Sequence, residues 1–131
     1  MEKLVAAAPG LAAEALPHLV QALGDGDVHA RGNAATAIGK LVAAVPGLAA
    51  EALPHLVQAL GDGDVNVRRY AAEAMEKLVA EEPGLAAEVL AHFVQALGDG
   101  NVSVRIDAAA AMGKLVAAAP ILTAEALPHV V

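Results

Sequence analysis

From Leu23 to Leu41 the chain reads LGDGDVHARGNAATAIGKL, and two near-copies follow, LGDGDVNVRRYAAEAMEKL over 60–78 and LGDGNVSVRIDAAAAMGKL over 97–115. The spacing is 37 residues each time. Extending outward, segments 4–40, 41–77 and 78–114 align without a gap; residues 1–3 form the tail of a preceding unit, and 115–131 begin a fourth that stops halfway. A period of this size marks a stacked array in which each unit buries its apolar face against its neighbours. Residues 1–131 therefore read as a single repeat domain, with proline and glycine at fixed phases of the repeat instead of in a linker.

Each unit predicts two helices. After the break at Pro9-Gly10, apolar residues at 11, 15, 16, 19, 20 and 23 have helical spacing, with Glu14, His18 and Gln21 forming a polar face. Pro17 lies inside this first helix, where a lost donor and a crowded turn predict a kink or a split; Ala91 holds the same phase in the third copy. The turn Gly24-Asp25-Gly26 has glycines able to take positive φ. Asp27, Asp64 and Asn101 then stand as N-caps, each with a side-chain oxygen for first-turn amides. The second helix runs from about Val28 to Ala44, with Ala30, Ala34, Ala37, Ile38 and Leu41 on its apolar arc. Lys40, Lys77 and Lys114 lie near its C-terminal end, where positive charge suits the helix dipole, and Pro46 and Pro83 stop it.

Composition limits the function. The 131 residues are 57% hydrophobic but only 2% aromatic, so alanine, leucine and valine must pack the core. A net charge of −7 opposes nucleic acid and anionic membrane surfaces as partners. Proline, histidine or acidic residues interrupt every apolar run before it reaches the roughly 18 residues of a spanning helix. Met1-Glu2-Lys3-Leu4 lacks the form of a signal peptide. With no cysteine there is no thiolate or disulfide chemistry, and for a natural chain the expected compartment is the cytoplasm.

The stretch 23–41 resembles the second half of a HEAT-type repeat, whose pattern is roughly L-x-D-x-D-x-x-V-R-x-x-A-A-x-A-L-x-x-L, and it matches three times over nearly the whole chain. The copies are unusually alike, and the positions at which they vary resemble those of artificial HEAT-like binding scaffolds of the alphaRep kind, although the period here is longer in the Pro-Gly-Leu-Ala-Ala-Glu segment. This resemblance implies an all-α, right-handed α-solenoid of helix-turn-helix repeats whose second helices line the concave side. It also implies that Asp25, Asp62 and Asp99 form a ladder between units with Arg31, Arg68 and Arg105. Arginine suits that role because its planar fork serves a carboxylate and a carbonyl together.

The first two copies differ at eight positions. Three are apolar exchanges; the other five, at 29, 32, 33, 36 and 39, span an arc of about 120° on the second helix. This stripe comprises His29, Gly32, Asn33, Thr36 and Gly39, then Asn66, Arg69, Tyr70, Glu73 and Glu76, then Ser103, Ile106, Asp107, Ala110 and Gly113. Drift on a solvated face is the plain explanation. Against it, Glu, His and Gln persist on the first helix, so the stripe is the candidate site for a protein or peptide, with Tyr70, Arg69 and Ile106 as anchors.

The histidines at 18, 55, 92 and 129 follow a glutamate by four residues and could suggest a metal. Packed helices lie about 8–10 Å apart, whereas two ligands of one metal must come within about 4 Å of each other. A solvated face with Glu–His pairs is the expectation, with no metal and no cofactor. No nucleophile elbow or phosphate-binding loop is present, so the chain reads as a non-catalytic scaffold. A spacer or assembly module is the alternative, and an enzyme or lyase of HEAT-like fold a remote one. Both ends carry partial units, including Leu122, Leu127 and Val130, which predicts weak end-to-end association.

Overall fold

A computed structural model of the chain describes residues 9–118, which form six α-helices and two short 3-10 turns with no strand among them. The first helices of the units are α1 (Pro9–Ala22), α3 (Ala49–Ala59) and α5 (Ala86–Ala96); the second helices are α2 (Val28–Ala44), α4 (Val65–Glu81) and α6 (Val102–Ala118). The described residues form an all-α array of helix-turn-helix repeats. Residues 1–8 and 119–131, with Leu122, Leu127 and Val130 and the association expected of the partial units, lie outside the described residues.

Each second helix starts where its cap dictates. Asp27 Oδ1 accepts from the His29 N–H at 2.8 Å, Asp64 Oδ1 from those of Asn66 and Val67, and Asn101 Oδ1 from that of Ser103, contributing about 1 kcal/mol each. A second aspartate reinforces the turn. Asp25, Asp62 and Asp99 accept from the N–H of residues 27, 64 and 101. No glycine among the described residues has positive φ, which corrects the reason expected for Gly24 and Gly26: the turn is built by aspartate hydrogen bonds and makes no special demand on backbone torsion.

The first helices continue through Pro17 and Pro54 without splitting; both prolines are solvent-exposed, so the ring crowds no neighbouring element. Lys40, Lys77 and Lys114 stand just before the last turns of α2, α4 and α6, which hold no basic residue. Pro46 and Pro83 do not merely end a helix but open the 3-10 turns Pro46–Leu48 and Pro83–Leu85 that lead into α3 and α5.

One apolar core runs between the two rows of helices from Ala12 to Leu115, with Ile38, Leu53, Leu56, Met75, Leu78, Leu90 and Phe93 fully buried. Side chains of that size contribute about 1.5–3 kcal/mol each on burial. The rows are not equally close. α2 packs along α4, while α1 touches α3 only lightly, so the second helices form the shorter, inner row and the first helices splay on the outside.

Candidate functional site

The inner row places the varied stripe in two different surroundings. Between α2 and α4, the two glycines of the stripe are buried. A Cβ on Gly39 would stand 3.2 Å from both Cα and Cβ of Ala74, and one on Gly32 would stand 3.1 Å from Cδ2 of Tyr70. The Tyr70 ring thus lies on a shelf left by a missing side chain while remaining 40% exposed.

Between α4 and α6 the same phases carry Arg69 and Glu76 in place of Gly32 and Gly39, and the helices pack much less extensively. A groove of about 140 Å³ opens there, lined by Arg69, Glu73, Glu76, Ile106, Asp107 and Ala110 of the stripe together with Ala72, Ala111 and Lys114. Lys114 was not legible as a groove residue because its phase suggested only the helix end. Its nearness to the stripe does follow from standing four residues after Ala110 and seven after Asp107, on one helical face. Burial pushes the Glu76 carboxyl above the usual glutamate range, an effect that Lys114 opposes and Glu73 reinforces. Its Oε1 is buried, and no described residue donates to it.

The remaining stripe residues frame these two places. His29, Asn66 and Ser103 sit exposed in the first turns, with their N–H groups committed to the caps. Asn33 is exposed and Thr36 half-buried. Ile106, at 62% exposure, is the most exposed large apolar side chain among the described residues.

The charged side chains behind the stripe differ between junctions as well. Arg31 grips Asp62 with both branches of its fork, Nε donating to Oδ2 at 2.8 Å and Nη2 to Oδ1 at 3.2 Å, while Nη1 donates to the carbonyls of Asp25 and Gly26. Burial raises the Asp62 carboxyl, but the Arg31 bond, the Asp64 N–H and the charges of Arg31 and Arg68 outweigh it, so the group titrates below the usual range. Arg68, only 3% exposed, does not continue the pattern to Asp99. Its Nε donates to Asp107 Oδ2 at 2.8 Å and its Nη1 to the Asp62 carbonyl. Asp107 therefore neutralises a buried cation; it occupies the phase of Tyr70, the one that leans toward the preceding unit. Arg105 donates to the Asp99 carbonyl at 2.6 Å and meets no acid among the described residues.

On the outer row His18 is exposed, while His55 and His92 are more enclosed. No hydrogen bond joins Glu51 to His55 or Glu88 to His92 among the described residues. The imidazoles are half-buried and line clefts of about 270 and 300 Å³ between successive first helices, His55 with Val20 and Leu23, His92 with Val57 and Leu60. No group of three potential metal ligands occurs among the described residues, and none of their helices is long and apolar enough to cross a membrane.

Capped second helices, arginines at one phase and a two-row core repeat together along the chain, and the family model for HEAT repeats matches residues 5–76 and again 53–130. The chain belongs to the HEAT-repeat family. No curated protein and no solved structure matches it. HEAT repeats commonly mediate protein interactions and are typically non-enzymatic scaffolds.

Proposed function

We propose that this HEAT-repeat chain binds a protein or peptide along its inner row, with Arg69, Tyr70, Glu73 and Ile106 as the central contacts. The observation that carries this reading is the pairing of variation with exposure: the unit-to-unit differences concentrate on the inner row, and two large side chains stay open to solvent there, Tyr70 at 40% and Ile106 at 62%. Tyrosine and arginine are the residue types that most often anchor interfaces. The role is non-catalytic, and the net charge of −7 weighs against polyanionic partners.

A spacer role has one observation in its favour, since Gly32, Gly39 and Asp107 use their variation in packing one unit on the next. The two readings part on a single comparison. Proteins captured from a complex lysate by the native chain are compared with those captured by a variant carrying alanine at Arg69, Tyr70, Glu73 and Ile106, four side chains outside the buried core. A stoichiometric partner lost by the variant supports binding; identical capture by the two chains removes the stripe from any site. For an authentic complex, Tyr70→Ala costs about 2 kcal/mol or more of affinity.

A further inference from the structure

The α2–α4 and α4–α6 junctions are built from the same repeat, yet one is closed and the other open, and the difference centres on a single phase. At Gly39 the neighbouring helix approaches until Ala74 leaves no room for a Cβ. At the equivalent Glu76, facing Ala111 and Lys114 across the groove, a carboxylate stands in that space with Oε1 buried and without a donor from the described residues. An ionised carboxylate without donors resists further drying, so the groove beside it stays open. A neutral carboxyl resists it far less.

We propose that the α4–α6 junction is a proton-sensitive joint in which ionised Glu76 holds the two helices apart and its protonation lets α6 draw nearer to α4, though not to the spacing that glycine allows between α2 and α4. The charged groups lining the groove are Arg69 and Glu73 from α4 and Asp107 and Lys114 from α6, and α5 contributes none. Asp107 is committed to Arg68. Glu73 repels the Glu76 carboxylate and Lys114 attracts it, so the balance at Glu76 is set by one favourable charge against burial and one unfavourable charge. Closure would bring Ala72, Ala110 and Ala111 together, small faces suited to close approach. The joint lies between the last two helices of the described inner row and would change the spacing between Tyr70 and Ile106.

The absence of cysteine makes the test direct. Paired cysteines for spin labels replace exposed residues of one phase, Ala80 and Ala117 across the joint, and Ala43 and Ala80 across the closed junction as control. Distances are measured in the full chain between about pH 8 and pH 4.5, a window that reaches the ordinary glutamate range. The 80–117 distance is expected to shorten on acidification by about 2 Å, the spread over which side-chain size sets interhelical spacing, while the 43–80 distance holds. Glu76→Gln should show the short distance at every pH. Lys114→Met, which removes the charge favouring the ionised form, should move the midpoint to higher pH while circular dichroism shows the same helix content. An invariant 80–117 distance, a pH response that survives in Glu76→Gln, an equal response in the control pair, or an unmoved midpoint in Lys114→Met would each overturn the proposal.

Discussion

The junction between the first and second units and that between the second and third have nearly the same sequence and different interiors. At the first, Gly32 and Gly39 let α4 settle against α2, Tyr70 fills the space left by one glycine, and Arg31 binds Asp62 across the units. At the second, Arg69 and Glu76 keep α6 at a distance, and the interunit ion pair shifts to a buried arginine and the stripe residue Asp107. The lesson is that a repeat frame fixes topology, while two or three positions on one face determine how tightly its units close.

The largest expected effect tests the second junction. Asp107→Ala leaves the Arg68 guanidinium, 3% exposed, buried without its counter-charge, and breaking such a pair from one side costs about 3–5 kcal/mol. Urea unfolding measures it. A loss below about 1 kcal/mol, the range of a surface pair, would show that Arg68 finds another acid such as Asp99, and the two junctions would then be alike in their ion pairs.

A single substitution made at both ends of the comparison comes next. Alanine in place of a helical glycine gains about 1 kcal/mol where space is free, as it is at Gly113, where an added Cβ meets nothing within 4 Å. At Gly39 the same methyl presses on the Ala74 backbone, and overpacking costs about 1–3 kcal/mol. Gly113→Ala should therefore raise stability and Gly39→Ala lower it, a difference of about 2 kcal/mol or more between variants of one phase. Equal effects would mean that the first junction is no tighter than the third unit's open face.

These contrasts also show what the sequence could and could not reveal. The 37-residue period, the capping residues and the two helices of each unit were legible because they depend on local chemistry: Asp27 caps the helix that begins at Val28 whatever lies beyond it. The stripe was legible as a set of differences but not as a surface. Whether Gly39 is an empty site or a contact depends on Ala74, 35 positions away, and whether Asp107 is free depends on Arg68 on another helix. Spacing within one helix carries no information about such partners. The same holds for His55 and His92, whose neighbours across the clefts, Val20 and Val57, belong to the preceding unit.

Acid should separate the junctions by sign. The Asp62 carboxyl titrates below its unfolded value, so its contribution is present above the unfolded value and is lost as pH falls through the folded one. Glu76 is raised, so the folded chain holds that proton more tightly, and its contribution is present at low pH and lost as pH rises through the folded value. Asp62→Asn should flatten the acid side of a stability-against-pH curve, by up to about 1 kcal/mol for a partly exposed pair, and Glu76→Gln should flatten the side nearer neutrality. Curves of unchanged shape in both variants would remove the electrostatic distinction between the junctions.

The smallest effect is expected where the junctions do not differ. Gly63 and Gly100 occupy the same place in the turns before α4 and α6; neither has positive φ, and an added Cβ meets nothing within 4 Å at either. Alanine there removes freedom from the unfolded chain without straining the folded one, a gain of about 0.4–1 kcal/mol. Because the aspartate hydrogen bonds that shape the turn are the same in both units, Gly63→Ala and Gly100→Ala should stabilise the protein to the same extent, as read from their urea midpoints. A clear difference between them would mean that the closeness of the inner helices reaches back into the turns, and the contrast between junctions would then extend beyond the phases of Gly32 and Gly39 to the whole unit.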